Sequence, residues 1–308
     1  MASRVTVYEV GPRDGLQNEA ATVSTADKLA LVEALAAAGI RRIEATSFVS
    51  PRWIPQLADA DALTGALPRR AGVSYVVLVP NAKGLERLVA ALGSAGDARA
   101  EVEAAVFLSA SQTHNQKNLN RTVEETLHEL ETLVPAARAE GLRVRGYVST
   151  VFGCPYEGRV APERSAMVAE RLLALGCEQV SLGDTIGVAT PGDTRRILEQ
   201  VMRSVAVTRL ALHMHDTRGT ALANVLAGLE AGIATFDASI GGLGGCPYAP
   251  GAAGNLATED LVYMLHGMGY ETGIDFEKLI AAGALAQRLV GRRLPGKTLQ
   301  AELARAEA

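Results

Sequence analysis

The 308-residue chain is poor in cysteine, with only Cys154, Cys177 and Cys246. An odd number with no Cys-x-x-Cys spacing supports neither a disulfide framework nor a zinc finger. An excess of one charge is missing too. The 30 basic residues face 34 acidic ones, the net charge is −4, and no basic run stands out. Nucleic acid and acidic membrane surfaces therefore have little to hold, and a small-molecule function without either partner is expected. No uninterrupted apolar run approaches the length that spans a bilayer. An apparent strand begins within four residues of Met1, so no signal or transit peptide is expected. The expected location is cytoplasmic. Low-complexity linkers are absent as well, so composition marks no domain boundary.

What is present is a cycle. Apolar, β-branched runs alternate eight times with longer alanine- and leucine-rich stretches of helical period. Strands are predicted over 5–10, 42–47, 73–79, 103–109, 143–149, 179–184, 210–216 and 235–241. Helices are predicted over 25–38, 55–66, 82–92, 122–140, 163–175, 192–203, 219–231 and 254–268. Ser24, Thr25 and the Thr122/Glu125 pair supply starts, Pro162 and Pro191 fit first-turn positions, and Gly39, Gly141, Gly176 and Gly232 supply stops. Residues 94–100, with Gly93, form a loose small-residue turn without nameable chemistry. The pattern reads as a single α/β domain, a (β/α)8 TIM barrel over about 5–270. An additional C-terminal helix at 276–290 belongs to an extension over about 271–308, whose last residues are polar and expected to fray. A doubly wound open sheet is the competitor. It would advertise a glycine-rich phosphate turn after the first strand, where this chain reads Gly-Pro-Arg-Asp-Gly-Leu-Gln.

Active sites of such barrels lie at the carboxyl ends of the strands. Arg13 and Asp14 follow the first, Glu44 lies in the second, Arg145, Tyr147 and Ser149 share a face of the fifth, and Asp184 closes the sixth. His213 and His215, in Leu-Ala-Leu-His-Met-His-Asp, close the seventh and point to one side, about 7 Å apart by strand geometry. Taken alone they are either metal ligands or a polar strand end. Barrel closure makes strands seven, eight and one neighbours, so that Asp14, His213, His215 and Asn255 can converge. Such mixed nitrogen and oxygen donors suit Mg²⁺ or Mn²⁺, although the ligand types also admit zinc. Glu44 and Asp184 read as groups that orient the ligands, or as buried hydrogen-bonded carboxylates. The eighth loop, 241–259, holds six glycines and carries Cys246 over the barrel mouth. A thiol there can act as an acid and base, or be an inert small hydrophobe. Cys154 reads as wall or lid, and Cys177 as core.

Six segments together carry a resemblance. They are Val-Gly-Pro-Arg-Asp-Gly-Leu-Gln-Asn-Glu (10–19), Ile-Glu-Ala-Thr-Ser-Phe-Val-Ser-Pro (43–51), Arg-Gly-Tyr-Val-Ser (145–149), Ser-Leu-Gly-Asp-Thr-Ile-Gly (181–187), His-Met-His-Asp-Thr (213–217) and the Gly-Gly-Cys-Pro-Tyr loop. The chain resembles the 3-hydroxy-3-methylglutaryl-CoA lyases over about residues 5–290. That resemblance implies cleavage of an acyl-CoA substrate to acetoacetate and acetyl-CoA by a metal-assisted retro-Claisen reaction. It implies Asp14, His213, His215 and Asn255 as metal ligands, with Arg13 facing the enolate oxygen and Cys246 as proton donor. Asp14 doubles as a proton carrier, Glu44 and Asp184 support catalysis, and Gln17, Tyr147 and Asn255 join Arg13 in holding the substrate. A homodimer or higher homo-oligomer is also implied. Ala253 stands where the family usually carries serine, and the tail lacks the near-terminal cysteine some animal members use for redox control. Two related activities share the chemistry: cleavage of a bulkier 3-hydroxy-3-acylglutaryl-CoA, and condensation of the isopropylmalate synthase type, whose enzymes usually carry a further C-terminal region. A barrel that only binds acyl-CoA would leave the arginine, the four ligands and the thiol without a purpose.

Overall fold

A computed structural model describes residues 4–93, 101–245 and 254–307. Eight parallel strands close into a barrel in sequence order. They are β1 (Thr6–Glu9), β2 (Arg42–Ser47), β3 (Ser74–Leu78), β4 (Val102–Ser109), β5 (Arg143–Ser149), β6 (Gln179–Gly183), β7 (Leu210–His213) and β8 (Thr235–Ala238). Closure is made by β1 against β8, with Thr6 opposite Thr235 and Glu9 opposite Ala238. Strands buried on both faces read as near-continuous apolar runs, and β4, Val-Glu-Ala-Ala-Val-Phe-Leu-Ser, is buried at all but one position. The main core lies between strands and helices, while Tyr8, Val10, Val76, Leu78, Ala105 and Tyr147 fill the barrel itself.

The helices follow their caps. Ser24 accepts the N–H of Asp27 ahead of α1 (Thr25–Ala37), and Thr122 with Glu125 forms a reciprocal box at the helix Val123–Ala139. Pro162 and Pro191 open the helices Pro162–Leu175 and Pro191–Val201, where a missing N–H costs nothing.

Three expectations are corrected. A helix at Gln112–Leu119 was not predicted, because it has no apolar period; it starts from Ser111, which accepts the N–H of His114, and stops at left-handed Asn120. The predicted helix at 254–268 begins only at Thr258. Before it the chain runs extended, pairing Asp216 N–H with Gly254 O, Leu256 N–H with Met214 O and Ser239 N–H with Leu256 O. The tail, expected to fray, forms the helix Lys297–Glu307. Its first N–H groups at Lys297 and Thr298 donate to the Asp260 carboxylate, and Leu299 is fully buried. A polar sequence thus docks through one capping carboxylate and one apolar anchor. The loose turn expected over 94–100 lies outside the described residues.

Two buried glutamates tie the barrel mouth together. Glu9 accepts the N–H groups of Gly11 and Ile240 and the hydroxyl of Thr258, and Glu259 accepts the N–H of Gly241. A side chain at Gly11 would bring its Cβ within 2.7 Å of the Glu9 carboxylate, so only glycine allows this knot. Burial pushes Glu9 up to about 7 and Glu259 up to about 8. Carboxyls raised in the folded state contribute stability that is present below about pH 4.5 and lost as pH rises through 7–8. Glu259→Gln is therefore expected to unfold in urea with about wild-type stability near pH 5. By about pH 9 it should be more stable than wild type by up to a few kcal/mol, and a pH-independent difference would contradict this.

Candidate active site

After β1 the backbone widens into one π-helical turn, Gly11–Gly15, in which Asp14 and Gly15 N–H both donate to Val10 O. Such turns re-aim side chains; this one carries Arg13 and Asp14 over the barrel mouth. The Arg13 guanidinium, 8% exposed, donates to Asp14 Oδ1 at 2.7 Å and to Glu44 Oε2 at 2.9 Å. Burial alone would lower its pKa, but the two carboxylates more than reverse that, so the cation is permanent. Glu44 sits where β2 shifts register against β3, between Glu44 and Thr46; irregularities of this kind turn a residue inward. Its Oε2 also accepts the Tyr147 hydroxyl at 3.1 Å.

The strand β7 ends at His213, and His215 lies beyond it in a bridge with Asn255. Sequence spacing alone put the imidazoles about 7 Å apart on one straight strand. In the structure the ring centres are 5.1 Å apart and the two Nε2 atoms converge to 3.1 Å. Asp14, His213 and His215 offer ligand atoms all within 4.8 Å of one another. Asn255 completes the group. Its Nδ2 donates to Asp14 Oδ2 at 2.9 Å and to Leu243 O at 3.1 Å, which leaves Oδ1 buried without a partner. A Cβ at Gly244, whose φ is +116°, would stand 2.6 Å from that Nδ2, so glycine is what admits the amide.

These residues fit a divalent cation. Ligands about 2.1 Å from one ion lie roughly 3 Å apart when adjacent, the spacing of the two imidazole nitrogens, and the orphaned Asn255 oxygen is an available donor. Burial and the neighbouring His213 push His215 down to about 4, which keeps its lone pair free at neutral pH. Arg13 and His213 outweigh burial to hold Asp14 down to about 2, so it is anionic.

A cleft of about 510 Å³ opens above Arg13, Asp14, His213 and His215, walled by Gln17, Tyr147 and Ser149 and rimmed by Trp53, Lys117 and Arg121. Glu44, Asp184 and Asn255 do not line it. The two oxygens of buried Asp184 accept the N–H groups of Val188 and Ala189, each at 3.0 Å, which shapes the loop after β6, and its own N–H donates to the carbonyl of His213. The Tyr147 hydroxyl donates to Glu44 and accepts from Arg145. Cys246 and Ala253 lie outside the described residues. Cys154 is buried in a turn, its Sγ accepting the N–H groups of Tyr156 and Glu157. Burial pushes Cys177 up to about 12, as a core thiol.

Sequence reasoning missed two groups. Lys117 rides on the unforeseen helix. Asp237, inside β8, is fully buried and paired in register with His213; a lone carboxylate in an otherwise apolar strand was the signal that could have found it.

The chain has clear relatives. Residues 4–286 match the HMGL-like family. Hydroxymethylglutaryl-CoA lyase of Pseudomonas mevalonii is 49% identical over 98% of this chain and 98% of its own length. A solved hydroxymethylglutaryl-CoA lyase from Pseudomonas aeruginosa superposes with a TM-score of 0.94, at 46% identity over 99% of each chain. An HMG-CoA lyase from Acinetobacter baumannii, solved in complex with coenzyme A and 3-methylmalate, superposes with a TM-score of 0.90 at 40% identity, covering 97% of this chain and 95% of that one.

Proposed function

The chain belongs to the HMGL-like family, and from that premise we propose that it is a carbon–carbon lyase cleaving 3-hydroxy-3-methylglutaryl-CoA to acetoacetate and acetyl-CoA. The observation that carries this reading is the meeting, on the floor of one cleft, of a permanently charged arginine with a carboxylate–imidazole group spaced for a cation. Asp14, His213, His215 and Asn255 would hold magnesium or manganese, whose chemistry is to lower the pKa of the tertiary hydroxyl and orient the bond to be broken. Asp14, an anion between Arg13 and the imidazoles, would accept the proton of the C3 hydroxyl. As the C2–C3 bond breaks, C3 becomes the ketone of acetoacetate and the bonding pair moves onto the thioester as an enolate. Arg13 donates to that enolate oxygen, and the Cys246 thiol delivers a proton to C2, giving acetyl-CoA. Lys117 at the rim offers positive charge to coenzyme A phosphates.

Acetoacetate formation tests the reading. The protein is expected to release acetoacetate from the methyl substrate, to lose activity on chelation and to regain it with Mg²⁺ or Mn²⁺. Cys246→Ala should be at least about 10²-fold slower. Turnover untouched by both treatments would overturn the mechanism.

A further inference from the structure

The floor of the barrel holds a polar chain that the proposed chemistry does not use directly. Asp237 accepts Arg145 at 2.7 Å on Oδ1 and 3.3 Å on Oδ2, and the Ser181 hydroxyl at 2.7 Å on Oδ2. Asp237 Oδ2 also lies 3.3 Å from Nδ1 of His213. The carboxylate stands close enough to attract a proton on Nδ1, although the contact is too bent to be a well-formed hydrogen bond. Arg145 in turn stacks on Tyr8, 3.7 Å from its ring centre, and donates to the Tyr147 hydroxyl. Both Arg145 and Asp237 are shielded from solvent, and neither lines the cleft.

The two ring nitrogens of His213 thus face different partners: Nδ1 the Asp237 carboxylate, Nε2 the other imidazole across 3.1 Å. A neutral imidazole has one N–H and one lone pair, and the partner of one nitrogen decides which the other carries. A carboxylate accepts only. We propose that Asp237 is the positioning residue that holds the proton of His213 on Nδ1 and so presents the Nε2 lone pair to the cation, and that Arg145, paired with both Asp237 oxygens, fixes that carboxylate in direction. Asparagine in the same place keeps the shape but brings an N–H₂ that can oppose Nδ1–H, favouring the tautomer with its proton on Nε2, where a cation cannot bind. Partners of this kind change metal affinity by about 10–100-fold.

The inference rests on the cation site proposed above, and the experiment separates the two. In chelator-stripped wild-type protein at mildly alkaline pH, the imidazole ¹⁵N spectrum should show the signal that His213→Gln removes as an Nδ1–H tautomer. Titration with Mn²⁺ alone, followed by electron paramagnetic resonance, should give a Kd about 10–100-fold higher for Asp237→Asn than for wild type. A His213 proton found on Nε2 in the wild type, or a folded Asp237→Asn with a Kd within twofold of wild type, overturns the role of Asp237. If Asp237→Asn does not fold, the wild-type tautomer decides alone. Wild-type protein that takes up no Mn²⁺ would instead remove the cation site itself.

Discussion

Arg13→Gln is expected to lower kcat for cleavage of 3-hydroxy-3-methylglutaryl-CoA by about 10²–10³-fold, with a much smaller change in KM. The asymmetry follows from when charge appears. In the ground state the thioester oxygen is nearly neutral and a hydrogen bond to it is worth little. As C2–C3 breaks, that oxygen takes up the negative charge, and a fixed cation beside it stabilises the transition state selectively. Arg13 is suited to this because its direction is set in advance. Asp14 takes one end of the fork and Glu44 the other, so no reorganisation is needed when charge develops. Glutamine keeps much of the volume but has neither charge nor fork. Arg13→Lys restores the charge without the planar geometry and should recover only part of the rate. Steady-state kinetics on the three proteins checks this. A loss that falls mainly on KM would mean that Arg13 binds the ground state and does not meet the enolate.

Arg145→Met should destabilise the barrel by about 3–5 kcal/mol. Arg145 and Asp237 are both fully buried and joined through two guanidinium–carboxylate contacts. Methionine fills a similar space but leaves Asp237 a buried anion with only Ser181 and His213 beside it, and removal of one partner from a buried pair costs more than the pair itself contributes. A lowered melting temperature, by an order of 10 °C, is the direct measurement. Changing Asp237 to leucine in the same protein removes the stranded charge and should return much of the stability. A double variant as unstable as the single one would place the loss in the lost packing on Tyr8 and Tyr147, not in the charge.

Both variants act on one connected group. Glu44 holds Arg13, Tyr147 joins Glu44 to Arg145, and Arg145 joins Asp237, which faces His213. Little of this chain could be read from the residue order. Glu44 and Asp237 are 193 positions apart (237 − 44), and only barrel closure turns β2, β5 and β8 toward one another. Arg13 and Asp14 were legible because they follow the first strand, and the histidines because alternate residues of a strand share a face. Asp237 stood out locally only as a carboxylate inside a mostly apolar strand; that it faces a histidine depends on the neighbouring strand β7.

The sequence by itself determined the eight-fold alternation of strand and helix, the capping of most helices and the placing of Arg13, Asp14, His213 and His215 at strand ends. Those are consequences of local periodicity and of short-range hydrogen bonding, which act over a few residues. Tertiary structure alone decided that His215 leaves its strand to pair with Asn255, and that the two imidazoles turn their Nε2 atoms to within 3.1 Å of each other. It alone decided that the polar tail folds onto Asp260. Each of these depends on a partner distant in the chain, and a hydrogen bond across the barrel mouth exists only after the barrel has closed.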